Sequence, residues 1–245
     1  LWSEIRIALF QQSIDTRHSK EEIREPRPRV TFGKDWIYNS ITEIYKEDIT
    51  RFEVFINDDI NENSVETIQS GNVPQLRALR LHNGTIYRWN RMCYGITDNK
   101  PHMRIECRYI PAGPSIQDEI ANAAFWVGLM KARPENVKKI WEHFDFKDVK
   151  SNFFKAARSG VESVFVWRGK TISAHDLIKN ELLPLAHEGL KNCGFSNEEI
   201  YVYLGTIEKR LSSSTGSQWQ VRNFRNLKKE MNVSDALNAL TEFMH

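Results

Sequence analysis

A short segment between residues 84 and 111 concentrates the residue types that bind anions and metals. It reads GTIYRWNRMCYGITDNKPHMRIECRYIP and sets arginines around a single glutamate, Glu106. In an extended strand alternate residues face the same side, so Arg104, Glu106 and Arg108 are predicted to share one face. A guanidinium binds carboxylate or phosphate oxygens in pairs, and a carboxylate can hold Mg²⁺ together with substrate phosphates. The row indicates an anion site with Glu106 as metal ligand, or else a solvated face with weak surface ion pairs.

An anion site at the row of Arg104, Glu106 and Arg108 requires that the neighbouring elements place the other arginines close to it. Asn83–Gly84 lies between two alternating runs, which predicts a β-hairpin that pairs Arg80 with Tyr87. The arginines expected on the same few strands are Arg77, Arg80, Arg88 and Arg91. The other face of the third strand is predicted to be core, and it carries Met103, Ile105, Cys107 and Tyr109.

Apolar spacing predicts helices over residues 1–14 and 36–55. Residues 15–34 between them are polar, charged and interrupted by prolines, which indicates an irregular loop. Functional groups are frequent on such loops, so Arg17 is a candidate to close over a nucleotide or an acidic substrate. The alternative is a solvated loop.

A helix is predicted to begin after Ser115, which caps it with Asp118 at the capping-box position, and to be buried on nearly all sides. A short hairpin is predicted to turn at Arg168–Gly169. Ser196 with Glu199 predicts a second capping box. The carboxy-terminal helices are predicted over residues 135–159, 173–192, 196–210, 217–230 and 234–244.

The composition is that of an ordinary globular chain. Of its 245 residues, 40% are hydrophobic and 27% are charged, and the net charge is only +2. A nearly balanced charge argues against general nucleic-acid coating, and no apolar run is long enough to span a bilayer. Three irregularly spaced cysteines form neither a zinc pattern nor a disulfide framework, which favours reduced thiols in the cytoplasm. A helix-like start at Leu1 suggests a fragment of a longer protein.

The motifs resemble a known superfamily. The run NRMCYGI…RIECRYIPAGPSIQDEIANAAFWVGL resembles the closing active-site segment of the glutamine synthetase and glutamate–cysteine ligase superfamily. AFWVGL is similar to plant-type glutamate–cysteine ligases, and DTRH…PRVTFGKDW and HNGTIYRWNR resemble a bacterial branch of glutamate–cysteine ligase-like proteins. The resemblance covers residues 1–131 and weakens beyond them. It implies an α+β chain, with part of a glutamine synthetase-like antiparallel sheet backed by helices and followed by a helical carboxy-terminal region.

The resemblance also implies roles for individual residues. Glu106 matches the glutamate that ligates a catalytic Mg²⁺ or Mn²⁺, and Arg108 matches the arginine that contacts the substrate carboxylate or the transferred phosphate. Arg91 matches an arginine that contacts the phosphates of ATP. The remaining candidates for substrate or nucleotide binding are Arg88, Arg104, Arg80 and Arg17. These ligases activate a carboxylate as an acyl phosphate, which an amine then attacks.

One departure from the superfamily concerns its other metal carboxylates. They lie in an E-x-E pattern on an earlier strand, and no strand-borne E-x-E is found here. The expected reason is that the amino-terminal half of the catalytic domain is missing, so residues 1–133 would hold half a site, inactive alone, and residues 134–245 a helical region packed on it. The expected ligands are ATP and an amino-acid carboxylate, with glutamate or a related amino acid as substrate and a homo-oligomer possible.

Two other functions are compatible with the sequence. A non-catalytic anion-binding or regulatory module could derive from the same fold, with its arginines recognising an anionic partner. Single-stranded nucleic-acid binding through arginine and tryptophan would require a steep salt dependence of affinity. The sequence leaves open the carboxylate, the amine, the oligomeric state and the role of residues 215–229.

Overall fold

The computed structural model describes residues 2–13, 28–58, 61–132 and 139–244. The chain divides into two compact units, Arg6–Ile110 and Leu1–Ile5 with Pro111–His245. Both units combine helices with short strands, so the α+β class is confirmed. Among the described residues the strands form three two-stranded sheets rather than one larger sheet. The predicted functional boundary near residue 133 stays a prediction.

The first unit carries four helices and four strands among its described residues. The helices are α1 (Ile5–Ser13), α2 (Thr42–Arg51), α3 (Ser64–Gln69) and α4 (Arg77–Gly84). The strands are β1 (Val30–Thr31), β2 (Tyr87–Arg88), β3 (Asn90–Thr97) and β4 (Lys100–Cys107). β1 pairs in parallel with β2, and β3 pairs antiparallel with β4.

The β3–β4 hairpin turns at Asp98–Asn99. Both residues have positive φ angles, 50° and 55°, which the tight two-residue turn of a twisted hairpin requires and which Asp and Asn tolerate better than most residues. The resulting register sets Arg91 opposite Glu106 and Cys93 opposite Arg104. This hairpin therefore places two arginines, a thiol and a carboxylate on one face.

The predicted hairpin at Asn83–Gly84 is wrong, because these residues end helix α4. Asn and Gly favour helix ends as well as tight turns, so the dipeptide alone does not distinguish the two. The helix buries His82, whose Nε2 lies 2.9 Å from the backbone oxygen of Phe52. The pairing of Arg80 with Tyr87 is wrong for the same reason.

The prediction that Met103 and Ile105 lie in the core is also wrong, since they are 41% and 52% exposed. Alternation correctly indicates that the two faces of β4 differ, but it does not tell which face is covered. The core of this unit lies instead beneath β3 and the residues before it. Its buried apolar residues include Ile7, Val30, Phe52, Ile86, Trp89 and Met92.

The helix predicted over residues 36–55 is shorter in the structure, where it is α2 from Thr42 to Arg51. The carboxylate of Glu43 accepts hydrogen bonds from the backbone N–H groups of Tyr38, Asn39 and Ser40. These bonds fold the residues before α2 into a turn. The helical spacing of apolar residues therefore extends beyond the helix itself.

The second unit is mainly helical. Its strands, β5 (Val164–Trp167) and β6 (Lys170–Ser173), form an antiparallel hairpin. Its helices are α5 (Ile116–Lys131), α6 (Phe146–Ser159), α7 (Ala174–Leu177), α8 (Leu183–Asn192), α9 (Asn197–Ser212), α10 (Gly216–Leu227) and α11 (Val233–Phe243), with a π-helical turn at Ile178–Leu182 between α7 and α8. The turn at Arg168–Gly169 and the capping box of Ser196 with Glu199 are confirmed.

Helices α5, α8 and α9 form the core of the second unit. Ser115 caps α5 as predicted, by accepting the N–H of Asp118. Burial on all sides of α5 is wrong, however, because Ile116 is 79% exposed and Ile120 is also exposed. Arg210 of α9 donates to Asp118 and Asn122 of α5 and so ties the two helices together. None of the helices in the described ranges combines the length and apolar character of a membrane span.

Candidate anion-binding site

The first unit contains a cavity of about 420 Å³ whose wall is rich in arginine. Arg77 and Arg80 reach it from α4, Arg91 from β3 and Arg104 from β4. Helix α4 therefore supplies two cationic side chains that the sequence assigned to a strand. Three of the predicted site residues, Arg80, Arg91 and Arg104, come together here.

The described part of the wall carries more positive than negative charge. Among the described residues, its four guanidinium groups share the cavity with a single carboxylate, that of Asp58. Arg77 Nη2 lies 3.0 Å from Asp58 Oδ2, and both side chains are largely exposed. Such an exposed pair is weak and is readily opened by a competing anion. The cavity is therefore suited to a carboxylate or phosphate group.

Two buried hydrogen-bond donors on the cavity wall have no partner within the described part of the chain. They are Arg91 Nε and the hydroxyl of Tyr45. A buried donor without an acceptor costs roughly 1–3 kcal/mol, so a ligand that supplies acceptor oxygens would recover that energy. Burial, with a smaller contribution from Cys93, raises the pKa of Tyr45 and keeps its hydroxyl protonated as a donor.

Glu106 fixes the arginines next to the cavity. Its carboxylate accepts hydrogen bonds from Arg108 Nε at 2.9 Å and from Arg91 Nη2, and Cys93 Sγ lies 3.6 Å from its Oε2. The hydrogen bond from Arg108 holds the pKa of Glu106 below its usual range, and Arg91 acts in the same direction. The carboxylate is therefore charged at neutral pH and orients Arg91 through one of its Nη atoms.

This arrangement bears on the predicted metal site. The described ranges contain no group of three His, Cys, Asp or Glu side chains that could hold a metal ion. A divalent cation at Glu106 would have to displace the guanidinium of Arg91 or Arg108 from the carboxylate. A carboxylate that is already paired with two guanidinium groups does not fit a divalent cation in this arrangement. Binding of Mg²⁺ or Mn²⁺ by Glu106 stays a prediction.

No family model, curated protein or solved structure matches this chain. The resemblance to the glutamine synthetase and glutamate–cysteine ligase superfamily therefore stays a prediction from the motifs. The geometry of the first unit is an independent basis for assigning a function.

Arg88 lies in the interior, away from the cavity wall. Its Nε donates to Asp48 Oδ1 at 3.0 Å, and its Nη2 donates to Asp48 and, at 3.0 Å, to Glu47 Oε2. Both Arg88 and Asp48 are buried. This ion pair ties β2 to α2 and leaves the predicted binding role of Arg88 without an open path to the cavity.

Arg108 is held on the other side of Glu106. Its guanidinium carbon lies 4.5 Å from the centre of the Tyr87 ring, which packs edge-on against Phe10 and Trp89. A cation above an aromatic face is stabilised by the ring quadrupole, so Arg108 is positioned by both partners. It is not part of the cavity wall. Arg17, the remaining candidate, lies outside the described residues.

The sequence interpretation missed Tyr45 and Asp58 as wall residues. Tyr45 precedes Asp48 by three positions on α2, so the two share a helix face. A helix face that combines a tyrosine with an aspartate is the sequence signal that could have predicted Tyr45 as a site residue. Asp58 offered none, because it lies in the polar segment after α2 and reaches the wall through tertiary structure.

Another local detail sets the position of Arg104. A Cβ atom at Gly95 would lie 2.6 Å from Arg104 Nη1 and 2.6 Å from His102 Nε2. Glycine at this position of β3 thus leaves the space that the side chains of His102, directly opposite, and Arg104, diagonally opposite, occupy. Arg104 Nη1 lies 3.3 Å from His102 Nε2, which limits the directions in which the guanidinium can point.

Proposed function

We propose that the cavity of the first unit binds the anionic group of ATP or of an amino-acid carboxylate, as part of an ATP-dependent carboxylate–amine ligase site. The observation that carries the proposal is the wall of four arginines, together with buried donors on Arg91 and Tyr45 that have no partner among the described residues. Guanidinium groups bind phosphate and carboxylate oxygens in pairs, and partial burial strengthens such contacts. The motif resemblance supports the choice of a ligase, with glutamate or a related amino acid as the substrate.

The proposed reaction has two steps. The substrate carboxylate attacks the γ-phosphorus of ATP and forms an acyl phosphate with release of ADP. An amine then attacks the acyl carbon, and inorganic phosphate leaves as the amide forms. Arg91 and Arg104 would neutralise charge on the transferred phosphoryl group, which is the main contribution a protein makes to such a transfer.

The remaining parts of the proposal come from the resemblance. The carboxylates of the superfamily's E-x-E pattern would come from an amino-terminal half of the same protein, and the glutamine synthetase-like sheet would be completed there. The protein would work in the cytoplasm, where its cysteines stay reduced. The described first unit would contribute the anion-binding wall.

Removal of either Arg80 or Arg104 should weaken anion binding. Each substitution to alanine deletes one charge-assisted contact, worth roughly 1.5–3 kcal/mol, so we expect about a ten- to hundredfold loss of affinity. Isothermal titration of the purified chain with ATP, ADP, inorganic tripolyphosphate and glutamate would measure it. The control is Arg225→Ala, since Arg225 is an exposed residue of α10 in the second unit.

The pattern across these ligands decides between the possible sources of the anionic group. A preference for tripolyphosphate and ATP over glutamate assigns the cavity to the phosphates, and the reverse assigns it to the amino acid. Equal weak binding of all four by the parent chain and by both cavity variants would contradict a built site. An effect of Arg225→Ala as large as that of Arg104→Ala would contradict it as well.

A second candidate is a non-catalytic anion-binding module. It is favoured by the contacts of Glu106, whose carboxylate is held by two guanidinium groups rather than left open to a metal ion. In that case the arginine wall would recognise an anionic ligand or an acidic partner without turning it over.

Glu106→Gln distinguishes the two functions in the intact protein. If the ligase proposal holds, ADP release with a panel of amino-acid pairs should fall by at least about a hundredfold, because Arg91 loses the carboxylate that orients it towards the transferred phosphoryl group. Glu66→Gln, at an exposed residue of α3, is the control and should leave ADP release unchanged. Anion binding by the intact protein with no ADP release from any pair would establish the module instead. Full ADP release in Glu106→Gln would contradict the role given to this carboxylate.

A further inference from the structure

The β3–β4 ribbon has an open edge along β4. In the described ranges β4 pairs with β3 alone. A two-residue turn makes Thr97 and Lys100 a hydrogen-bonded pair, so every second residue after Lys100 directs its N–H and C=O towards β3. The N–H of Arg108 fits this alternation, because it donates to Trp89 O at 2.9 Å. The backbone groups that point away from β3 are those of Met103, Ile105 and Cys107.

The same edge strand exposes apolar side chains. Met103 and Ile105 lie on the face of β4 opposite to Arg104 and Glu106, and both are exposed. A two-stranded ribbon is marginal in water unless further strands or another layer join it. An exposed edge with apolar side chains is a template on which another strand can pair.

The sequence of β4 is complementary to itself in one antiparallel register. When two copies pair about Ile105, Ile105 lies opposite Ile105, Met103 lies opposite Cys107, and Arg104 lies opposite Glu106. Each pair of opposite charges contributes roughly 0.2–1 kcal/mol, while like charges directly opposite each other destabilise. A register centred on Arg104 sets two arginines opposite each other, and one centred on Glu106 sets two glutamates opposite each other. A register centred on Cys107 would set Glu106 opposite Arg108, but it would extend the pairing beyond Cys107, where β4 ends. Charge and the length of β4 together therefore favour the register centred on Ile105.

We propose that two copies of this chain associate through β4, antiparallel about Ile105, to form a four-stranded sheet. In that sheet Met103, Ile105 and Cys107 of each copy donate their N–H groups to the other copy. Met103 and Ile105 gain apolar neighbours across the new strand pair. Pro101, which has no N–H, lies towards the end of the ladder, where prolines are tolerated on strands. The association does not depend on the proposed ligase function.

Sedimentation velocity of the chain over two decades of concentration tests the association. The mass should rise with concentration from 28.7 kDa towards twice that value. Ile105→Lys sets two ammonium groups opposite each other at the two-fold axis, so the dimer dissociation constant should rise about tenfold or more. The matched control is Val164→Lys, because Val164 is a strand residue of the second unit with a similar exposure, 50%.

A cross-link tests the register independently of stability. Met103→Cys sets a thiol opposite the native Cys107 of the second copy, and the Cα atoms of such a hydrogen-bonded pair lie about 5.5 Å apart, within disulfide range. In a Cys193→Ser background, oxidation should give a covalent dimer that Cys107→Ser abolishes. A monomer at every concentration, an association that Ile105→Lys leaves unchanged, or no covalent dimer would each overturn the proposal.

Discussion

Replacement of Arg88 by methionine should lower the free energy of unfolding of the first unit by about 3–5 kcal/mol. The substitution keeps much of the side-chain volume but removes the group that donates to Asp48 through both Nε and Nη2. Asp48 is almost fully buried, so its carboxylate would remain without its ion-pair partner in the interior. Urea unfolding, combined with hydrogen exchange of the amides of β3, would measure the loss.

Two further variants separate a buried ion pair from a general loss of charge. Arg51→Met removes a more exposed arginine that pairs with Glu47 within α2, and it should cost no more than about 1 kcal/mol. Arg88→Met combined with Asp48→Leu should recover much of the stability, because replacement of both partners by apolar groups is often nearly neutral. If Arg88→Met cost no more than Arg51→Met, Arg88 would not be an interior residue that ties β2 to α2.

Arg88 also illustrates a limit of the sequence. Alternation along residues 87–91 gives each side chain a face, and an arginine there is compatible with a binding site. The structure pairs it instead with an aspartate forty positions earlier on α2. A buried ion pair and a ligand-binding arginine both require a polar residue on a strand with apolar neighbours. Only the tertiary position of Asp48 distinguishes them.

Local signals predicted those elements whose evidence lies within a few residues. The strand through Ile105, the cap at Ser115, the turn at Arg168–Gly169 and the capping box at Ser196 all depend on adjacent residues, and all are present. The hairpin was predicted at the wrong position because two dipeptides, Asn83–Gly84 and Asp98–Asn99, are both typical of tight turns. The chain uses Asp98–Asn99 as the turn and ends a helix at Asn83–Gly84.

The sequence predicted several residues of the candidate site but not their arrangement in space. Arg80, Arg91 and Arg104 do come together, yet Arg80 arrives on a helix rather than on the expected strand. The row of Arg104, Glu106 and Arg108 does not act as one unit. Arg104 lines the cavity, whereas Glu106 and Arg108 pair beside it. Which neighbours a charged row meets depends on long-range packing, which alternation does not encode.

Gly189→Ala should destabilise the second unit by about 1–3 kcal/mol or more. Gly189 of α8 faces Gly128 of α5 so closely that a methyl group at position 189 would overlap the backbone oxygen of Gly128. The overlapping atom belongs to the backbone, so relief requires α5 and α8 to move apart and loosens the contacts around Ala186 and Ala121. Thermal unfolding followed by far-ultraviolet circular dichroism would detect the change.

The matched control is Gly205→Ala in α9, where a methyl group would meet no atom within 4 Å. There the substitution should stabilise the chain by up to about 1 kcal/mol, because alanine loses less backbone entropy than glycine when a helix forms. Opposite signs for the same chemical change would establish that contact between α5 and α8, rather than helix propensity, decides the outcome at position 189. A stabilising Gly189→Ala would mean that the two helices do not approach through their glycines.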